Sequence, residues 1–241
     1  MLLRKSDVSK LSFDEKTHAY RVNNDRFISV TEFIGLFFPK FDSDYWSKQK
    51  AEEAGVTPEE IKQQWADKAD FGKQTHHLAE DIMHKKIYPT ENPYVKYINN
   101  FINDSPYKVE ETEYIVFNED LGIAGTIDLI MLDKCGNRFI YDWKTNNKIK
   151  LFGYGEKALY PIQDADNSSV SRFMHQVSLY RLLLELDGNS VEDQNIIHLN
   201  LRNENYVIHE CDYLINNLHK MIKAYKSGEV RPQSEIKDFI E

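Results

Sequence analysis

The chain has 241 residues, 41% of them hydrophobic and 29% charged, the profile of an ordinary globular protein with enough length for one well-cored domain and an appended arm. No stretch approaches eighteen uninterrupted apolar residues, and the most apolar run, residues 27–38, is broken by Ser29, Thr31 and Glu32, which excludes a helical membrane span. The net charge of −9 argues against a protein that coats nucleic acid indiscriminately, since such proteins rely on a basic surface to neutralise phosphate. The opening residues Met-Leu-Leu-Arg-Lys-Ser-Asp carry no apolar core and no small-residue cleavage site, so no secretory leader is expected. Cys135 and Cys211 are too few for an iron–sulfur or zinc cluster and fit a reducing cytoplasm.

Short alternating segments at 11–13, 20–22 and 26–30, with the turn Asn23-Asn24-Asp25, predict a small β-meander. The capping sequence Ser29-Val30-Thr31-Glu32 then starts a helix running to about Phe38, before Pro39. A second helix is expected over 45–54, stopping at Gly55. Thr57-Pro58-Glu59-Glu60 caps a third that extends to about Lys86, with a break near Gly72. Asn92-Pro93 opens a fourth, to Phe101. From Tyr107 the apolar period changes to two, giving strands at 109–117, 123–132 and 138–143. A helix over 170–186, strands at 195–201 and 206–210 and a helix over 213–226 complete the order. The expectation is an α/β protein with a mixed central sheet flanked by helices. Residues 1–105 form the β-meander and helical arm, and residues 106–241 the core, in one compact unit.

The strongest chemical signal lies in the hairpin at 122–148. Its turn, Asp133-Lys134-Cys135-Gly136-Asn137, is centred on Cys135, so facing residues have numbers that sum to 270. That register puts Asp128 opposite Asp142 and Thr126 opposite Lys144, with Asp142 and Lys144 on one face. Two carboxylates as cross-strand neighbours repel, and each is costly to bury alone. The apolar flanks Ile127, Leu129, Ile130, Ile140, Tyr141 and Trp143 nevertheless read as interior. A divalent cation between the aspartates removes the conflict, and hard oxygen ligands suit magnesium or manganese. The adjacent lysine can orient an attacking water, so the set matches the needs of phosphodiester hydrolysis. Asp-x-Lys alone more often describes a solvated ion pair on a surface hairpin; the matched Asp128, the Gly-Thr-Ile-Asp approach and the apolar flanks are what set this one apart.

The pattern resembles the PD-(D/E)XK nucleases, in their RecB-like branch with the lambda-type and mitochondrial genome maintenance exonucleases. The resemblance rests on Gly72-Lys-Gln-Thr-His76, Gly125-Thr-Ile-Asp128, Asp142-Trp-Lys144 and Gln176-Val-Ser-Leu-Tyr180, in that order. Ser29-Val30-Thr31, Phe-Phe-Pro-Lys-Phe-Asp and the long helix after Thr57 also look like phage-encoded members. It covers residues 27–187 and implies a restriction-endonuclease-like core. It also implies one or two Mg²⁺ or Mn²⁺ ions held by His76, Asp128, Asp142 and the backbone carbonyl of Trp143. Lys144, Glu80 and Glu113 would join Asp128 and Asp142 as catalytic residues.

Bland alternatives stand beside several of these. Glu80 shares the His76 helix face at i, i+4, but that face also reads as solvated. The His76, Glu80 and His84 set lacks the His-Glu-x-x-His order of zinc proteases. Glu113 is equally one more charge of the cluster Glu110-Glu111-Thr112-Glu113, and Tyr180 equally a core residue. Gln176, Tyr180, Lys148 and Lys73 are the candidate DNA contacts. Lys150 and Arg172 are further candidates for the phosphate path, with Phe152 and Tyr154 for stacking on unpaired bases. The expected activity is metal-dependent DNA exonuclease, on ends or single strands. The alternatives are a structure-specific or flap endonuclease on the same core, or a non-catalytic DNA-binding module.

Overall fold

In a computed structural model the protein is described at Leu2 and at residues 8–14, 17, 19–86 and 91–232. The rest of the opening stretch read for a leader lies outside the described residues. Strands β1 (Leu11–Asp14), β2 (Ala19–Val22) and β3 (Asp25–Ser29) make the expected antiparallel meander. The Ser29 hydroxyl accepts the Glu32 amide and so starts α1 (Val30–Gly35). This helix is shorter than expected. At Leu36 and Phe37 the backbone tightens to i→i−3 hydrogen bonds ahead of Pro39, while Phe37 and Phe38 bury completely.

Helices α2 (Ser43–Ala54), α3 (Pro58–Met83) and α4 (Pro93–Asp104) follow. Thr57 and Glu60 satisfy each other's amides at the start of α3, with Pro58 in the first turn. The break expected near Gly72 does not occur, and α3 runs unbroken for 26 residues. Gly72 instead permits a close approach, since a Cβ there would lie 3.3 Å from Thr145 Oγ1, next to Lys144.

The second half comprises β4 (Lys108–Asn118), β5 (Ile123–Leu132), β6 (Arg138–Lys144), α5 (Ser169–Leu186), β7 (Val191–Asn200), β8 (Asn205–Glu210) and α6 (Ile215–Lys226). The type and order of these elements match the sequence reading, although β7 begins at Val191 rather than 195. The described strands form one eight-stranded mixed sheet, ordered β1-β2-β3-β5-β6-β7-β8, with β4 also on β5.

Strand β5 organises that sheet. β4 covers one edge antiparallel along its length. The other edge is shared: β3 runs parallel to its start at Ile28↔Ile123 and Ser29↔Ala124, and β6 antiparallel to its end, from Leu132↔Arg138 to Leu129↔Tyr141. Beyond Tyr141, β6 continues on β7 alone, with Asp142↔Ile196, Trp143↔Ile197 and Lys144↔His198. The expected register therefore holds as far as the ladder runs, and the two strands then part at Asp128 and Asp142. Thr126 does not face Lys144 as expected: the β5–β6 ladder ends at Leu129↔Tyr141, and the end of β6 keeps β7 as its paired strand. The Thr126 hydroxyl instead bonds the Tyr20 hydroxyl at 2.8 Å.

Alternation assigns the two faces. Ile130 and Ile140 pack in one cluster with Phe33 of α1, Leu183 of α5 and Met221 of α6. Leu129, Met131, Tyr141 and Trp143 pack in another with Ala79 of α3 and Ile98 and Phe101 of α4. The Phe101 ring sets its edge against Tyr141 and Trp143 at 5.3 and 5.4 Å. Gly125 lies in the gap on β5 between β3 and β6. A Cβ there would meet Tyr180 Cε1 at 2.7 Å and Val30 Cγ2 at 2.8 Å. Gly125→Ala is expected to cost about 1–3 kcal/mol through overpacking, seen in calorimetry as a melting temperature lower by several degrees. An unchanged melting temperature would mean that Tyr180 and Val30 yield freely.

Candidate active site

The parting of β5 and β6 leaves backbone and side-chain groups to be satisfied in another way. The Trp143 amide donates to Asp128 Oδ2 at 2.8 Å, so the carboxylate closes the gap that a ladder bond would otherwise span. Trp143 itself is buried on the α4 side, which fixes that amide in place. Asp142 lies on the opposite face, where Gln176 of α5 donates to its Oδ1 at 3.0 Å. Lys144 shares that face as expected. Its Nζ lies 2.5 Å from Asp142 Oδ2, donates to Gln176 Oε1 at 3.3 Å and sits 4.6 Å above the Phe173 ring.

Helix α3 closes the site from the other side. His76 Nδ1 lies 3.3 Å from Asp128 Oδ2. Glu113 comes from β4, between the pairs Thr112↔Leu129 and Tyr114↔Ile127, and so across from Asp128. Its φ is 47°, a left-handed conformation that costs an L residue about 1–2 kcal/mol. His76, Glu113 and Asp128 each offer a ligand atom, and these atoms lie within 4.8 Å of one another.

Several expected residues fall outside that trio. Asp142 belongs to the Lys144 and Gln176 network beside it. Glu80 is half-buried, 3.8 Å from His77 Nδ1. Gln176 and Tyr180 are both buried, and Gln176 Nε2 also donates to the Tyr180 hydroxyl at 3.2 Å. Lys73 and Lys148 are exposed, one on α3 and one on the segment after β6. Arg172 is pinned to the Pro39 carbonyl and Asn167. Tyr20, bonded to Thr126, and Phe173, under Lys144, border the site as well and were not among the expected residues. Phe173 had a signal, standing one helical turn before Gln176 on α5. Tyr20 had none, because only the β3–β5 pairing brings the meander here.

Four titratable groups are shifted together. Burial alone would depress the His76 imidazole, but the Asp128 carboxylate beside it raises it to about 9. Burial, then repulsion from Asp128, pushes Glu113 up to about 8 against the pull of His76. Burial likewise raises Asp142, with Lys144 opposing and Asp128 reinforcing. For Asp128 burial acts upward too, yet His76, Lys144 and the Trp143 amide together hold it below the usual carboxylate range. An imidazole and carboxylates crowded at this distance suit a hard or borderline divalent cation. Asp142 Oδ2, buried and without a well-directed hydrogen bond, adds an acceptor beside them.

The shifts carry a sign. The folded protein holds protons on His76 and Glu113 that the unfolded chain releases earlier. Their contribution to stability is therefore lost as pH rises, for Glu113 between about 4.5 and about 8 and for His76 between about 6.5 and about 9. In EDTA the melting temperature should fall from pH 7 to 9. A cation that displaces those protons should stabilise more at pH 9 than at pH 7. Calorimetry with and without Mn²⁺ checks this, and a flat metal-free profile would contradict the proton assignment.

Comparison with known proteins gives two kinds of likeness. Among solved structures, the protein named SSO0001 is 16% identical, with 86% of this chain and 78% of that chain covered and a TM-score of 0.40. An alkaline exonuclease from Laribacter hongkongensis is 8% identical, with coverages of 84% and 87% and a TM-score of 0.40. No curated protein matches the chain significantly. The profile of the PD-(D/E)XK nuclease superfamily, by contrast, matches residues 40–233, which include the α3 histidine, both aspartates, Lys144 and the α5 glutamine. With most of its length matched, the chain belongs to the PD-(D/E)XK nuclease superfamily.

Proposed function

We propose that the protein is a divalent-metal-dependent deoxyribonuclease that degrades DNA from ends or along single strands. The observation that carries this reading is the parting of β5 and β6, which leaves Asp128 with His76 and Glu113 on one side and the Asp142–Lys144 pair on the other. His76, Glu113 and Asp128 are the residues that would hold Mg²⁺ or Mn²⁺, with Asp142 and, as the family resemblance implies, the Trp143 carbonyl as further donors. When bound, such an ion supplies a hydroxide near neutral pH and neutralises charge on the phosphate.

The chain's own groups do the rest. Lys144, ordered by Asp142, Gln176 and the Phe173 ring, presents a fixed ammonium that orients the attacking water or the phosphate oxygen. Gln176 holds both members of that pair and is itself steadied by Tyr180. Glu80 flanks the histidine on α3, and Lys73 and Lys148 are exposed where a phosphate backbone can reach them.

End-labelled linear DNA, single- and double-stranded, with Mg²⁺, Mn²⁺ or EDTA tests the reading, and circular single strands report the mode. Shortening of linear strands with metal and intact circles are expected. Cut circles would assign an endonuclease, and no metal-dependent cleavage in any substrate would remove the enzymatic reading. Asp128→Asn should abolish cleavage while the protein stays folded.

His76 and His77 offer a sharper comparison. Adjacent helical residues point about 100° apart, and His76 alone reaches Asp128, while the exposed His77 lies near Glu80. His76→Ala should lower turnover by roughly one to two orders of magnitude. His77→Ala should leave stability within about half a kcal/mol and activity nearly unchanged. A defect confined to His77→Ala would place the wrong face of α3 at the site.

A further inference from the structure

We propose that a groove between the start of α2 and the segment leading into α5 binds an unpaired DNA strand and feeds it to the carboxylate site, an inference that rests on the nuclease reading above. The groove encloses about 880 Å³, within the range of about 300–1,000 Å³ usual for ligand sites. Its walls carry Lys40, Lys150, Lys157 and Arg172 against Glu156 as the one lining carboxylate. That is a local excess of positive charge on a chain of net charge −9. An acidic protein that handles a polyanion needs such a strip, because phosphate neutralisation supplies most of the sequence-independent affinity.

The rings decide between strand types. Phe41 and Trp46 line the groove and, although each makes an edge-to-face contact with a neighbouring ring (Trp65 and Tyr45), they stay 63% and 45% exposed, with apolar surface left open for stacking. Phe152 and Tyr154 stand exposed between the lining residues Lys150 and Glu156, and Lys150 Nζ lies 5.6 Å from the Tyr154 ring centre. The segment that presents them is pinned. Asn167 N bonds Glu156 O, Val170 N bonds Lys150 O and Leu159 N bonds Phe37 O. Exposed rings on a fixed backbone, interleaved with lysines, recognise the open faces of unpaired bases, which a duplex keeps stacked.

Position and charge pairing agree with a path to the site. Arg172 lies one turn before Gln176 on α5, and Phe173 beside it supports Lys144. Lys150 follows Lys144 by six residues. The ion pairs Lys150–Glu156 at 3.6 Å and Lys157–Asp166 at 2.6 Å are solvent-exposed, so a phosphate can displace either carboxylate at little cost. Arg172, held on the Pro39 carbonyl and over the Phe38 ring, forms a rigid part of the floor.

Fluorescence anisotropy of a labelled oligothymidylate and of a closed duplex hairpin, with the full chain in EDTA across a salt series, tests this. Trp46→Ala should weaken single-strand binding about tenfold, Trp46→Phe should restore most of it, and duplex binding should hardly move. Lys150→Ala should lower the salt slope by about 0.7. Melting temperatures of the variants, compared with the wild type, separate lost contacts from lost folding. Equal losses for strand and hairpin would overturn the single-strand assignment. Unchanged binding in both alanine variants, in a protein that cleaves DNA with Mn²⁺, would overturn the groove while the nuclease reading stands. Binding lost as expected, in a wild-type protein that cleaves nothing with any divalent ion, would keep the groove and sink the nuclease.

Discussion

Two aspartates on neighbouring strands are buried within one hairpin, and the structure around them manages their mutual repulsion. Strand separation is the first device. Where a continuous ladder would press Asp128 and Asp142 together, β6 parts from β5 and stays paired with β7 alone. Opposite partners are the second, with His76 set against Asp128 and Lys144 against Asp142. Burial of unpaired charge is expensive, so each carboxylate keeps a cation or amide donor within reach. What remains between them is a cluster of donors crowded more closely than water alone would favour, a natural seat for a divalent ion.

The supports for this arrangement come from both faces of the sheet. Helix α3 delivers His76 from the side that also packs Trp143 on Phe101, and helix α5 delivers Gln176 and Tyr180 from the other. The close contacts at Gly72 and Gly125 let both helices approach the hairpin. The left-handed Glu113 on β4 adds a third direction, at a conformational cost that the surrounding β4–β5 ladder absorbs. The site is thus built on regular elements, which hold donors more rigidly than loops do.

Charge is distributed on a larger scale as well. The chain is acidic overall, yet the charged residues lining the groove that borders α5 are cations except for Glu156. Separating the two, on the proposed reading, keeps general polyanion affinity low while leaving an attractive track, and the exposed Phe41 and Trp46 add a preference that charge cannot supply. On the proposed reading, catalytic carboxylates and phosphate-binding lysines occupy neighbouring surfaces that share α5.

The sequence by itself determined much of this protein. Local rules sufficed for the Ser29 and Thr57 caps, for the extent of β5, and for the register that sums to 270, because each depends on neighbours in the chain or across one short turn. The same alternation put Asp142 and Lys144 on one face. Tertiary structure decided what depends on distant partners. Gly72 reads as a helix breaker but stays helical against Thr145, and Thr126 turns to Tyr20 because a parallel β3–β5 pairing brings the meander to the site. Glu113 joins His76 and Asp128 while Asp142 joins Lys144 and Gln176, a division made where β6 parts from β5 and keeps only β7. Sequence periodicity tells which face a side chain takes; only the packing of strands far apart in the chain tells how far two such faces separate, and metal-ligand and hydrogen-bond distances turn on that separation.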